Sequence, residues 1–257
     1  MKNTVSVCLS IHNQENIIEQ ILFGILNNMS DNVKELIIVL DGCIDATESK
    51  VISILKTLKI PNKIFYADNV WETKANNITF KNATCDYILT LQDDMLIQEK
   101  DFDKRLMKPF RVIDNVLGTT ARNASNEYPA GERIQYYDVA GKDVNTPRNL
   151  FCIRQVIVRG PMMLNHDKLK ILNYLDEDFA PITCDEKDLC FRAYRKGWIV
   201  GAYAMEYSSP LIWGKIHNHN AENQAIFQDS ARKNEKLIID RHLDLMKETH
   251  NKEIVII

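Results

Sequence analysis

A chain of 257 residues, 45% hydrophobic and 26% charged, can bury a sizeable core as one large α/β domain or two small ones. Its formal net charge of -3 comes without a dense Lys/Arg stripe interleaved with aromatics, which argues against a nucleic-acid partner. The six cysteines (Cys8, Cys43, Cys85, Cys152, Cys184, Cys190) include no Cys-x-x-Cys pair and several sit in apolar runs, so they read as reduced thiols of a cytoplasmic protein.

Met1-Lys2-Asn3-Thr4 runs straight into a strand pattern and leaves no room for a signal peptide. No stretch approaches the roughly 20 apolar residues that cross a bilayer, although peripheral attachment to a membrane stays open. Val5-Ser6-Val7-Cys8-Leu9-Ser10-Ile11 is β-rich and apolar, and Ile17, Ile18, Ile21, Leu22, Ile25 and Leu26 follow at helical spacing. Leu36-Ile37-Ile38-Val39-Leu40 is fully apolar, as a strand covered on both faces should be. Asp45 then precedes a helical pattern through Val51, Ile52, Leu55 and Leu58, with Glu48 in the position of a capping box. Lys63-Ile64-Phe65-Tyr66 predicts a third strand, a helix follows near Lys74 to Lys81, and Tyr87 to Leu91 predicts a fourth strand. Repeated βα units predict an α/β fold with a mostly parallel central sheet and helices on both faces.

Regularity then lapses. Between about Thr120 and Leu150, Pro129, Gly131, Gly141, Pro147 and many polar side chains predict a loop-rich region of the sort that houses binding and lids. Order returns at Val156-Ile157-Val158, broken by Gly160-Pro161. Asp185 to Lys196 has helical apolar spacing with Gly197 as its C′ residue, Trp198 to Ala204 resumes a strand, and Ala221 to Thr249 forms a helical tail. Ile254-Val255-Ile256-Ile257 reads as an edge strand or as the place where a longer chain was cut.

Chemistry concentrates at the strand ends. The fourth strand runs into Gln92-Asp93-Asp94, and open α/β sheets place ligand chemistry at the C-terminal tips of their strands. Adjacent carboxylates resist joint ionisation unless a cation neutralises them. Mg²⁺ and Mn²⁺ take oxygen ligands and bind through one or two carboxylates plus substrate phosphates. A solvated acidic turn is the plainer explanation of an isolated pair. Asp41 closes the second strand, so it belongs to the same edge, as do His12, Asn13 and Glu15 after the first. Lys74, opening the next helix, is placed to offer a cation to a phosphate, although a lone Lys is more often solvated. Asp185-Glu186-Lys187-Asp188 opens a helix, where the dipole alone favours acids; a functional carboxylate there would take a proton from an attacking hydroxyl. His217 and His219 share one face of an extended segment and could complete a metal's shell, a weak signal by itself.

Taken in order, these features resemble the inverting family 2 glycosyltransferases of the GT-A fold, from Val5 to about Ala204. The segment Val5 to Glu15 looks like that family's first strand, with His12 where Tyr is usual. Leu40-Asp41-Gly42-Cys43-Ile44-Asp45-Ala46-Thr47 is similar to its Asp-Asp-Gly-Ser-x-Asp-x-Thr box, with Leu40 in place of the first Asp. Lys74-Ala75-Asn76-Asn77 resembles the stretch before the metal motif (DxD), and Gln92-Asp93-Asp94 resembles that motif with Gln92 for its first Asp. Gly160-Pro161-Met162-Met163 looks like the acceptor-side glycine segment. Asp185 to Leu189, with Arg192 and Lys196-Gly197-Trp198, resembles the Glu-Asp-x-Asp-Leu helix and the Gly-aromatic strand after it.

The resemblance implies transfer of a sugar, with inversion, from a nucleoside-diphosphate sugar (most often UDP-linked) to a hydroxyl of a glycan or other acceptor. It implies that Asp41 contacts the base, that Ser10, His12 and Asn13 line the same pocket, and that Glu15, Lys74 and Gly160 lie among the substrate-binding residues. Asp93 would address the ribose or metal, and Asp94 would bind Mn²⁺ or Mg²⁺ at the diphosphate, with His217 or His219 as a further ligand. Asp185 or Glu186 would deprotonate the acceptor. Their identities are swapped relative to the motif, which leaves the choice open, with a lean to the shorter Asp185. No Gln-x-x-Arg-Trp segment of the processive members is present, so single addition is expected. The expected organisation is one domain over residues 1–257, with a nucleotide-binding half (1–100), an acceptor-binding half (101–220) and a helical tail (221–257).

Two other readings compete. A nucleotidyltransferase shares the sheet type but normally carries a Gly-rich phosphate loop after its first strand, and Ile11-His12-Asn13-Gln14-Glu15 holds no glycine. A non-catalytic nucleotide- or sugar-binding module would explain the departures at Leu40, Gln92 and Asp185, yet a decayed site need not keep both aspartates and two candidate bases. The sugar, the acceptor and the oligomeric state stay open.

Overall fold

The computed structural model describes residues 3–209, 221–248 and 253–257. The predicted βα repeats form β1 (Val5–Ile11), α1 (Ile18–Asn28), β2 (Val33–Asp41), α2 (Thr47–Leu55), β3 (Asn62–Ala67), α3 (Trp71–Asn82) and β4 (Tyr87–Gln92). The chain continues through β5 (Leu96–Ile97), α4 (Phe102–Val112), β6 (Val116–Thr120), β7 (Asn123–Ala130), β8 (Arg133–Gly141), β9 (Leu150–Arg154) and β10 (Val156–Ile157). It closes with β11 (Met162–Asn165), α5 (His166–Ile171), α6 (Asp185–Tyr194), β12 (Ile199–Tyr203), β13 (Tyr207–Ser208), α7 (Ala221–Met246) and β14 (Ile254–Ile256).

A nine-stranded sheet in the order β14-β9-β12-β6-β11-β4-β1-β2-β3 carries the fold. The half formed by β4, β1, β2 and β3 is parallel, with Cys8 of β1 beside Ile37 of β2 and Thr90 of β4. β11 inserts antiparallel between β4 and β6, and β9 lies antiparallel between β12 and β14. Strand β1 shows why both faces are apolar. Val5, Val7, Leu9 and Ile11 meet Ile18, Ile21, Leu22 and Ile25 of α1, while Cys8 packs on the other face with Ile37, Ile88 and Phe80 of α3. Each such Ile or Leu contributes about 1.5–3 kcal/mol by leaving water, which holds the strand tips rigidly in register.

Two local expectations change, and one open reading is answered. Glu48 does not close a capping box on Asp45: it accepts from the Tyr66 hydroxyl at 3.0 Å, while Asp45 Oδ1 accepts from Thr47 N–H at 3.0 Å. The supposed loop between Thr120 and Leu150 contains the long hairpin β7–β8. Its inward side chains include the buried polar residues Ser125, Asn126 and Glu127, so no apolar alternation marks it. Tertiary bonds compensate: Gln155 accepts from Glu127 N–H at 2.9 Å and Asn126 accepts from Gln155 N–H at 3.1 Å. The segment Ile254–Ile256 is an edge strand on β9.

Helix α6 ends as expected. Gly197 sits at φ +72, and the Gly197 and Trp198 N–H groups return to the Tyr194 and Ala193 carbonyls at 2.9 and 3.1 Å. Helix α7 braces α6 from outside. Its Asn234 amide donates to the carbonyls of Phe179, Ile182 and Thr183 at 2.7, 2.9 and 3.0 Å, fixing the loop that enters α6. Its Glu235 accepts from Arg133 and from the Ile134 N–H, fixing the hairpin. At His242 the helix kinks to non-helical angles, and the ring meets Asp188 of α6 at 2.9 Å. All six cysteines are free, and all but the half-buried Cys43 are buried. Among the described residues no helix is long and apolar enough to cross a membrane.

Because Asn234 is fully buried and satisfies three carbonyls, Asn234→Ala should cost about 1–3 kcal/mol, read as a lower urea midpoint at unchanged slope.

Candidate active site

The tips of β1, β2 and β4 bring Ser10, Asp41 and Gln92 side by side, and Asp93 and Asp94 occupy the turn that leaves β4. Asp41 is 3% exposed and acts first as a remote cap. Its Oδ1 accepts from Val70 N–H at 2.7 Å and its Oδ2 from Trp71 N–H at 2.8 Å. These donors open α3, whose own N-cap residue Val70 has no side chain to bind them. A carboxylate at a helix N-terminus contributes about 0.5–2 kcal/mol, so β2 and α3 are held at a fixed angle by one side chain.

The turn after β1 is equally tied down. His12 N–H donates to Asp93 Oδ2 at 2.9 Å, and its Nδ1 lies 2.5 Å from the Asp41 carbonyl oxygen. Asn13 Nδ2 lies 3.0 Å from His12 Nε2, and Asn13 Oδ1 accepts from Ile44 N–H at 2.8 Å. The only tautomer that satisfies both ring contacts has the proton on Nδ1, donating to Asp41, and a bare Nε2 accepting from Asn13. Glu15 looks away from the rim: its carboxylate accepts from Ala46 N–H at 3.0 Å and its carbonyl from Lys50 at 2.8 Å. It shapes the loop between β2 and α2.

Two hollows lie along this rim. A recess of about 60 Å³ is lined by Ser10, His12, Asp41, Trp71, Gln92 and Arg159 among others. A cleft of about 470 Å³ is lined by Asp93, Asp94, Arg122, Glu186, Lys187 and Phe227 among others. The larger volume falls within the ~300–1,000 Å³ typical of small-molecule sites. Glu72, Gln92 and Asp93 border both, so recess and cleft adjoin.

Burial, with the neighbouring charge of Asp94, pushes the Asp93 carboxyl up to about 7 against the pull of the His12 N–H. Such a pair calls for positive charge. Among the described residues no cluster of three or more His, Cys, Asp or Glu side chains is gathered for a metal ion. The donor set therefore fits a hard cation held by one or two carboxylates and completed by water and phosphate, as Mg²⁺ and Mn²⁺ are, and does not fit a closed protein cage. His217 and His219 lie outside the described residues.

The acids of α6 separate into distinct environments. Asp185 is 0% exposed and ion-paired to Arg159, whereas the Glu186 side chain is 12% exposed and lines the cleft. Burial opposes ionisation of Asp185, but the charge of Arg159 and hydrogen bonds from Glu186, Arg159 and Thr73 together outweigh it and hold the carboxyl below the usual range. Burial and the Asp185 charge push Glu186 the other way, above the usual range, despite Arg159 Nη2 at 3.0 Å. Asp188 points away from the cleft into a structural knot with Arg192 at 2.6 Å and His242. Lys187 pairs with the buried Glu127 at 2.8 Å.

Arg159 is the residue that sequence reasoning missed. It stands in the turn between β10 and β11, 5% exposed, and its acids come from α3 and α6. The only local hint was an arginine closing the apolar run Val156-Ile157-Val158 ahead of Gly160. Lys74, in contrast, does not join the site. It is exposed on α3 and borders neither hollow. Two residues of α-helix turn Lys74 by about 200°, onto the face opposite the one that carries Glu72 and Asn76. Gly160 sits at φ +79, where an added Cβ would strike Gln92 Oε1 and come within 2.8 Å of Met95 Cε.

The family model described as Glycosyl transferase family 2 matches residues 6–198. The chain belongs to that family. No curated protein matches this family 2 glycosyltransferase in sequence. Solved structures do match it in shape. Glucosyl-3-phosphoglycerate synthase from Mycobacterium tuberculosis, in complex with Mn²⁺, UDP and glucosyl-3-phosphoglycerate, superposes with a TM-score of 0.60 at 14% identity over 93% of this chain and 79% of that one. TarS 1-349 of S. aureus with UDP gives 0.55 at 14% identity over 79% of this chain and 59% of that one. The mannosyltransferase PcManGT from Pyrobaculum calidifontis, with GDP-Man and Mn²⁺, gives 0.56 at 16% identity over 78% of this chain and 56% of that one. The family 2 chain thus spans little more than half of the last two. These likenesses identify its mostly parallel sheet, flanked by helices, as the GT-A fold.

Gly160→Ala should strain the turn and displace Gln92 and Met95, lowering stability by about 1–3 kcal/mol in a urea titration.

Proposed function

We propose that this chain is a metal-dependent inverting glycosyltransferase that moves one sugar from a nucleoside-diphosphate sugar, UDP-linked in the first instance, to a hydroxyl of a glycan or other acceptor. One juxtaposition supports this reading above the rest: Asp93 and Asp94 line the same cleft as Glu186, and the recess of Ser10, His12, Asp41 and Trp71 adjoins it. A donor laid along that rim has its base and ribose in the recess, its diphosphate at the aspartates and its sugar before the acid of α6. Trp71 offers the base an aromatic face, and each Asp41 oxygen keeps a lone pair for a base N–H beyond the backbone donor it already holds.

Asp93 and Asp94 would hold Mn²⁺ or Mg²⁺, which supplies charge to offset that of the departing nucleoside diphosphate. Glu186 is the general base in this proposal, displacing the lean towards Asp185. A buried carboxylate committed to Arg159 has no path to an acceptor, whereas Glu186 opens on the cleft. Its raised pKa strengthens it as a proton acceptor. Glu186 takes the proton from the acceptor hydroxyl as that oxygen bonds to the anomeric carbon. The bond from that carbon to the β-phosphate oxygen breaks with its electron pair, the nucleoside diphosphate leaves, and attack from the opposite side inverts the centre. Lys187, Arg122 and Phe227 then border the acceptor.

A panel of nucleotides with Mn²⁺, read by thermal shift, should show selective stabilisation by UDP or a close relative. Asp94→Ala should remove the metal-dependent part of that shift, and a flat response from the unaltered protein would favour a non-catalytic module. Glu186→Gln should lower turnover, read as released nucleoside diphosphate, by about 10²–10⁴-fold while leaving nucleotide binding in place. Since the base works only when ionised and its pKa is raised, kcat should fall as pH drops through a value above the ~4.3 of a free glutamate.

A further inference from the structure

We infer that Arg159 is a positioning residue that couples the donor side of the cleft to its acceptor side, so that seating a nucleotide at the start of α3 and aiming Glu186 are one linked event. The inference rests on the glycosyltransferase reading above. Its basis is a single buried fork. Nη1 lies 3.3 Å from Glu72 Oε2, while Nη2 reaches Asp185 and lies 3.0 Å from Glu186 Oε2. Glu72 follows Trp71, the residue whose N–H Asp41 holds, and it borders both recess and cleft. One guanidinium therefore touches the first turn of the helix that walls the recess and the first turn of the helix that carries the acid.

Two further bonds tie the same elements. Thr73 N–H donates to the Pro181 carbonyl at 3.2 Å, joining α3 to the loop that enters α6. Gln92 Nε2 lies 3.4 Å from Glu72 Oε1, joining α3 to the strand end that precedes the aspartates. A displacement of the first turn of α3 thus has a direct side-chain path to Glu186, through Glu72 and Arg159. Arginine suits the task because its planar fork meets several carboxylates at fixed angles, whereas a lysine ammonium is a single point charge on a flexible stem. The plainer role for a buried arginine is to neutralise the acids around it, and Arg159→Lys separates the two because it keeps the charge and discards the fork.

The charged groups around Glu186 are Asp185 and Lys187 on its own helix, Arg159 from the β10–β11 turn and Glu72 from α3, with Asp93, Asp94, Arg122, Arg133 of β8 and Glu235 of α7 lining the same cleft. Of these, Arg159 and Asp185 are in direct contact with it through their side chains, and Arg159 is the cation. The test uses the full chain with Mn²⁺ and the nucleotide sugar from which the unaltered protein releases most nucleoside diphosphate. Arg159→Lys, Glu72→Gln and the double variant are compared by circular dichroism, by UDP–Mn²⁺ calorimetry and by kcat and donor KM across pH. Coupling predicts that Arg159→Lys folds and binds UDP–Mn²⁺ but loses about 100-fold in kcat with a much smaller change in donor KM, and that the acid limb of kcat moves up by about one pH unit. It also predicts that Glu72→Gln loses less and adds nothing further to Arg159→Lys, because both cut the same link.

A folded Arg159→Lys with near-normal kcat and an unmoved acid limb overturns the inference while leaving the glycosyltransferase reading intact. So does full additivity of the two changes. Should Arg159→Lys fail to fold, Glu72→Gln decides alone, since an unchanged kcat and acid limb there show that nothing passes from α3 to Glu186. Release of no nucleoside diphosphate by the unaltered protein, from any donor, overturns the functional reading and this inference with it.

Discussion

Asp41, Glu72, Asp93, Asp94, Asp185 and Glu186 are drawn together at one end of a sheet, and the mutual repulsion of their carboxylates is the constraint around which this structure is organised. Each is held by a different compensation. Asp41 takes two backbone N–H groups at the start of α3, Asp93 takes the His12 N–H, and the α6 acids share Arg159 with Glu72. Asp93 and Asp94 line the cleft together, and the proposed function gives them a divalent cation and a diphosphate. Unequal compensation also separates neighbours. Asp185 is committed to a buried ion pair, and Glu186, one residue on, keeps an open side towards the cleft.

The supporting structure serves that edge. Parallel strands apolar on both faces put their tips in register, so residues 10, 41 and 92 meet without any of them being near in sequence. Helix α7 contributes from behind. Asn234 binds the loop entering α6, His242 bends the helix towards Asp188, and Glu235 anchors the hairpin β7–β8. Removing such supports would shift the acid-bearing helix by small distances, and small distances matter where a proton must pass between fixed atoms.

The departures from the family pattern have local explanations. Leu40 stands where the family box begins with an aspartate, and its side chain joins the core beneath α1 and α2. Gln92 stands where the metal motif begins, is packed against Gly160 and reaches Glu72. The acid it replaces would have added a further negative charge beside Asp93. His12 stands in place of tyrosine and uses both ring nitrogens to tie the rim together.

Strands β1 to β4, the first three helices and the acidic rim were legible in the sequence. Their signals are local: apolar runs bounded by turns, and acids at run ends that a parallel sheet must gather on one side. The hairpin β7–β8 was not legible, because its inward face carries Ser125, Asn126 and Glu127, polar groups whose partners Gln155 and Lys187 lie far along the chain. Arg159 makes the same point, as does Lys74, which borders neither hollow. The sequence by itself determined the opening βα units and which end of the sheet collects the acids. Only the tertiary structure decided which cation meets them, and that Glu186 rather than Asp185 opens on the cleft. The physical reason is that buried charge is settled by partners brought within a few ångströms from separate elements, and no local pattern encodes that meeting.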